Sequence, residues 1–139
     1  MVTKEIRILF TEQNSAQQTG LKRFFEAKGV RTYFCAKDGK EVLKQIEQYS
    51  PQVVVIDAFL ASIDAIEVRK YCEGKQNCPQ LFFACGGYDN DKIAAQLINA
   101  GFDYFLVKPY AFEVLLDRVE TLLGSDFSKK VQETTLNAG

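Results

Sequence analysis

Along the chain, short runs of branched and aromatic residues alternate with longer segments in which apolar positions recur every three or four residues. That pattern predicts stacked βα units around a parallel sheet. "EIRILF" (5–10) reads as the first strand, and Asn14 or Ser15 is placed to cap a helix with Leu21, Phe24 and Phe25 on its inner face, ending near Lys28 and Gly29. "VRTYFC" is the second strand. "DGKEVLKQIEQY" follows as a helix with Val42, Leu43, Ile46 and Tyr49 on one side, and Pro51 prevents its continuation. "QVVVID" is the third strand; its unbroken Val and Ile content predicts burial on both faces, as in the middle of a parallel sheet.

A weaker helix is expected over about residues 64–73, then a fourth strand, "QLFFAC", closed by Gly86 and Gly87. Asp89 to Ala100 carries Ile93, Leu97 and Ile98 at helical spacing, and Gly101 stops it. "DYFLV" is the fifth strand. Phe112, Leu115, Leu116, Val119, Leu122 and Leu123 form the apolar stripe of a fifth helix. Residues 1–123 therefore read as one domain, and 124–139, polar and without a sustained apolar period, as a tail or linker.

Composition narrows the chemistry. The 139 residues, 47% hydrophobic, suffice for one buried core but seldom for two. With 17 Lys and Arg against 18 Asp and Glu, the net charge of -1 provides no field of one sign to hold nucleic acid or an anionic membrane. The opening "MVTKEIRILF" lacks the long apolar core of a signal peptide, and no uncharged run approaches the roughly 20 residues that span a bilayer, so a cytoplasmic chain is expected. Cys35, Cys72, Cys78 and Cys85 form no C-x-x-C pair, and histidine is absent, which removes the usual zinc ligand sets; the four are expected to be buried free thiols.

In a doubly wound sheet, ligands collect outside the carboxyl ends of the strands. Asp57 stands at such an end, as do Glu12 and Gln13 after the first strand, Ala84 after the fourth and Lys108 after the fifth. These residues carry a resemblance. "VVVIDAFL" with its terminal Asp57, the Lys-Pro pair of "DYFLVKPY", "DGKEVL" and "AGFDYF", in this order and spacing, resemble a response-regulator receiver domain of two-component signalling over about residues 4–123. The resemblance implies a flavodoxin-like (βα)5 fold with strand order 2-1-3-4-5. It also implies Asp57 as the carboxylate that accepts a phosphoryl group from a kinase histidine, Lys108 as the lysine that contacts that group, and a cis bond between Lys108 and Pro109. Mg²⁺ would be held by Glu12, Gln13, Asp57 and the backbone carbonyl of Phe59.

The sequence departs from the family pattern at several of these positions. Glu12 and Gln13 stand where receivers usually carry two acids, although a register shifted by one would put Thr11 and Glu12 there. A neutral amide in place of a carboxylate weakens a site for a hard cation, so Mg²⁺ is expected to be weak or absent. Ala84 is expected at the position of the usual Ser or Thr and has no hydroxyl for the phosphoryl group. Phe105 matches the family's switching aromatic or else serves as core, and Tyr104 and Tyr110 could anchor a partner on the face of the fourth helix, fifth strand and fifth helix. Ala61 and Ala65 replace a proline and a glycine common after the acceptor.

Two functions follow. One is a pseudo-receiver that acts through protein contact, with a histidine kinase, a downstream effector or a second copy as partner; the other is a working phosphoacceptor with a weakened Mg²⁺ site, whose only reaction would be phosphoryl transfer onto its own Asp57. An FMN-binding flavodoxin shares the fold, but the sequence lacks a phosphate-cradling Ser, Thr and Gly run. A haloacid-type phosphatase wants a second acid where Phe59 stands.

Overall fold

A computed structural model describes residues 5–87 and 91–124. Five strands, β1 (Ile6–Phe10), β2 (Val30–Phe34), β3 (Val53–Asp57), β4 (Leu81–Gly86) and β5 (Tyr104–Val107), alternate with α1 (Ser15–Glu26), α2 (Gly39–Tyr49), α3 (Ala65–Cys72) and α4 (Asp91–Asn99). A last helix, α5, covers 112–124. All strand pairs are parallel, in the order β2-β1-β3-β4-β5, as expected.

Helix starts follow the capping residues. Asn14 accepts from the Gln17 amide, Asp38 from Lys40 and Glu41, and Asp64 from Glu67, so α1, α2 and α3 each have orphan donors satisfied by a side chain of the preceding loop. Ser50 ends α2 in the left-handed conformation, with its N–H bonded to the Ile46 carbonyl.

The sheet divides the core in two. On one face Leu9, Val54, Ile56, Phe82 and Ala84 pack with Val42, Ile46, Val68 and Leu97 from α2, α3 and α4. On the other, Ile8, Phe10, Val53, Val55 and Phe83 pack with Leu21, Phe25, Leu115 and Val119 from α1 and α5. Every residue of β3 and β4 is buried, which confirms that the continuous apolar runs belong to central strands.

Some expectations need correction. Ile98 (45% exposed) and Leu122 (41%) lie at the margins of their helical stripes and face outward. Cys35, Cys72 and Cys85 are buried free thiols, whereas Cys78 sits half-buried in the α3–β4 loop. The last helix includes Gly124, so the helix runs one residue further than expected; 125–139, like Asp89 at the expected start of the fourth helix, lie outside the described residues.

Candidate functional site

The carboxyl ends of the strands converge on Asp57. Its N–H donates to the Thr11 hydroxyl at 2.9 Å, which ties the last residue of β3 to the first residue beyond β1. The side chain is mostly shielded, and both oxygens have partners. Oδ1 accepts from the Phe59 N–H at 3.0 Å. Oδ2 accepts from Lys108 Nζ at 2.9 Å and forms an ion pair with Lys37 Nζ at 3.3 Å.

These contacts set the ionisation. Burial raises the Asp57 pKa, but the Phe59 amide and the charges of Lys108 and Lys37 outweigh it and hold the carboxyl below its ordinary value of 3.8. Burial likewise works against the Lys108 ammonium, and Cys85, Asp57 and Glu12 together hold it above its ordinary 10.5. Burial pushes the Cys85 thiol up to about 12, so it is neutral near pH 7 and Asp57 is the partner that matters there. Asp57 is therefore an ionised, paired carboxylate.

Of the residues expected at the rim, Asp57 and Lys108 meet directly, and the Lys108–Pro109 bond is cis as expected. Glu12 turns back on its own loop: its carboxylate accepts the Asn14 N–H at 3.1 Å, and its carbonyl accepts from Gln18 Nε2. Gln13 is exposed. Phe59 offers its amide to Asp57, while the residue as a whole is 58% exposed. The hydroxyl after β1 belongs to Thr11, which is buried and bonds the Asp57 backbone instead of a ligand.

Ala84 is not at the rim. It pairs with Ile56, one step below Asp57, and lies fully buried in the core on the α2–α4 side. The strand runs two residues further, so Cys85 is level with Asp57 and Gly86 stands beyond it, accepting the Lys108 N–H at 2.7 Å. Neither has a hydroxyl. Phe105, level with Ala84, packs against that same core. Tyr104 lies under Arg118 and against Phe83. Tyr110 is half-buried beside Phe112, and burial, with Cys85 and Glu12, raises its hydroxyl pKa well above the ordinary range.

Lys37 was missed by sequence reasoning. It sits in the β2–α2 loop, one strand removed from β3, and reaches Asp57 across the end of β1. The order 2-1-3 puts that loop on the same rim, so a basic residue just before the Asp38 cap was the available signal.

Both Asp57 oxygens are engaged, Glu12 is committed to a backbone amide, and among the described residues no group of three or more His, Cys, Asp or Glu is placed to hold a metal. Mg²⁺ takes several hard oxygens in octahedral array, and Glu12 and Asp57 are the carboxylates that the expected ligand positions supply.

Comparison with known proteins places this geometry. Residues 8–120 match the Response regulator receiver domain family. The chain is 31% identical over 119 residues to Response regulator MprA of Mycolicibacterium vanbaalenii and 30% identical to that of Mycobacterium tuberculosis, covering 85% of this chain and 50% of each relative. It thus spans about half the length of the response regulators it matches. Among solved structures, the receiver domain of the Francisella response regulator 1452 superposes with a TM-score of 0.70 at 27% identity, covering 85% of this chain and 96% of that one. The receiver domain of sensor histidine kinase PA1611 from Pseudomonas aeruginosa, solved with a magnesium ion in its active-site cleft, superposes at 0.71 and 20% identity over 88% of this chain and all of that one. Its likeness bears on the fold alone. With a parallel 2-1-3-4-5 sheet, an acid at the end of β3 bonded to a lysine after β5, and a family match over most of its length, the chain belongs to the response regulator receiver domains of two-component signalling.

Proposed function

We propose that this receiver signals mainly through protein–protein contact, as a pseudo-receiver in a two-component or phosphorelay pathway, and not by carrying a phosphoryl group on Asp57. The observation that supports this reading is the second ammonium on Asp57: Lys37 Nζ lies 3.3 Å from Oδ2, beside the Lys108 contact that both readings share. Phosphoryl transfer to a carboxylate needs compensation for the charge of the incoming phosphoryl group. The neutral Gln13 and the hydroxyl-free Ala84, Cys85 and Gly86 supply neither a carboxylate for a metal nor a side-chain hydroxyl for a phosphoryl group. On this reading Mg²⁺ binding is weak or absent.

The partner is a protein: a histidine kinase, a downstream effector or a second copy. Ile98 on α4, Val107 on β5 and Val114 on α5 are exposed apolar side chains on the face where Tyr104 and Phe105 lie partly covered. The net charge of -1 favours neither nucleic acid nor an anionic membrane, and among the described residues no helix is long and apolar enough to cross a bilayer.

One observation favours the second reading, a working phosphoacceptor: Asp57 is ionised and in direct contact with Lys108. Incubating the full chain with acetyl phosphate and Mg²⁺ and measuring its intact mass separates the two. The expected result is no adduct, together with unchanged binding of the protein partner by Asp57→Asn. A gain of about 80 Da, the mass of one phosphoryl group, that disappears in Asp57→Asn would establish the phosphoacceptor.

A further inference from the structure

We infer that Lys37 is a built-in counter-cation for Asp57, standing in for the divalent ion such a site would otherwise need and closing the site to it. This inference rests on the reading of Asp57 as an internally engaged carboxylate and names the residue responsible.

The geometry is specific. Lys37 Nζ lies 3.3 Å from Oδ2, the oxygen that also takes Lys108 at 2.9 Å, while Oδ1 is occupied by the Phe59 amide. A cation approaching Oδ2 meets two ammonium groups, and one approaching Oδ1 meets the Phe59 N–H beside the oxygen's remaining lone pair. Glu12 and Asp57 are the acids near this point, and Lys37 and Lys108 cancel their charge. A divalent ion would bring two further positive charges beside two ammonium groups, at separations where Coulomb repulsion is strong even with substantial screening.

Lys37 is also held in place by its backbone. Its carbonyl accepts the Ala61 N–H at 3.0 Å, and the Gly39 N–H donates to the Ala61 carbonyl at 2.9 Å, a bridge that joins the β2–α2 loop to the loop after Asp57. Ser62 Oγ donates to Asp38 Oδ2 at 3.0 Å, while the other Asp38 oxygen caps α2. The two loops meet so closely at Gly39 that a Cβ there would fall 2.1 Å from the Ile63 carbonyl oxygen. The lysine that reaches Asp57 thus starts from a backbone docked on the acceptor's own loop.

The test uses Mn²⁺ as the probe, on the full chain, read by paramagnetic broadening of the Asp57, Ala58 and Phe59 amide resonances. Wild type and Lys37→Arg should show no selective broadening. Lys37→Ala should gain it, with an apparent affinity roughly tenfold or more above wild type, the order expected when one like charge is removed at close range. Equal behaviour of wild type and Lys37→Ala, whether both bind or neither does, would overturn the inference, as would broadening in Gln13→Asp with Lys37 intact. Selective broadening in Lys37→Arg would also overturn it. The two readings fail separately. Metal-free phosphorylation of wild type by acetyl phosphate would sink the phosphate-independent function and leave Lys37 in its role, whereas Mn²⁺ binding that ignores Lys37 would do the reverse.

Discussion

At the scale of single residues, the site is an exchange of charges. Asp57 gives up water for two ammonium groups and an amide, and its carboxyl is stabilised in the ionised form. Asp57→Asn removes the negative charge and leaves Lys37 and Lys108 facing each other without it. The variant should lose about 1–3 kcal/mol, less than for a deeply buried pair because both lysines are a third or more exposed. The pH dependence has a definite sign. A carboxyl held below 3.8 in the folded state contributes stability that is fully present above that value and is lost as pH falls through its folded value. Urea unfolding should therefore show a constant gap between wild type and Asp57→Asn from pH 5 to 7, narrowing below about pH 4. A gap that widens on acidification would contradict the ion pairing. Asp57 and Lys108 were legible in the sequence because each ends a strand-like run. Lys37 was not, because only the spatial order of strands brings its loop beside an acid twenty positions away, and the pairing of a flexible side chain leaves no periodic trace.

Secondary structure elements were readable wherever burial was one- or two-sided over several residues, as in β3 and β4. Their ends were less so. Gly86 and Gly87 read as a stop, yet β4 continues through Gly86, which pairs with Val107 of β5, and Ala84, level with Ile56, lies one step below Asp57 in the core. Ile98 and Leu122 fit the helical period but exceed the width of sheet available to cover them. Close approach of loops is similarly invisible in a period. Gly39 opens α2 with a conformation open to other residues, and its smallness is required by the close approach of Ile63, whose carbonyl and Cβ both lie where a Cβ would go. Gly39→Ala should cost about 1–3 kcal/mol in chemical unfolding, the usual range for overpacking against backbone. It should also part the two loops, so that Mn²⁺ broadening near Asp57 rises as it does when Lys37 is removed. An unchanged midpoint would mean that the loops separate freely.

Across the whole molecule, two apolar layers clamp a sheet whose central strands have no solvent-facing side, and the acid site occupies the seam where those layers end. Cys85 lies in that seam, 4% exposed and level with Asp57, with its thiol pushed up to about 12. Alkylation requires a thiolate in contact with solvent. Cys78, half-buried in a loop, should react with iodoacetamide well before Cys85, as peptide mapping over a time course would show; equal rates would mean that the seam opens as readily as the loop. Cys85 thereby becomes a clock for this end of the domain: its labelling rate counts the moments when the packing over the end of β4 opens, with no dye or isotope added. A partner that grips the α4–β5–α5 face would slow that clock, and a partner that pries it open would speed it.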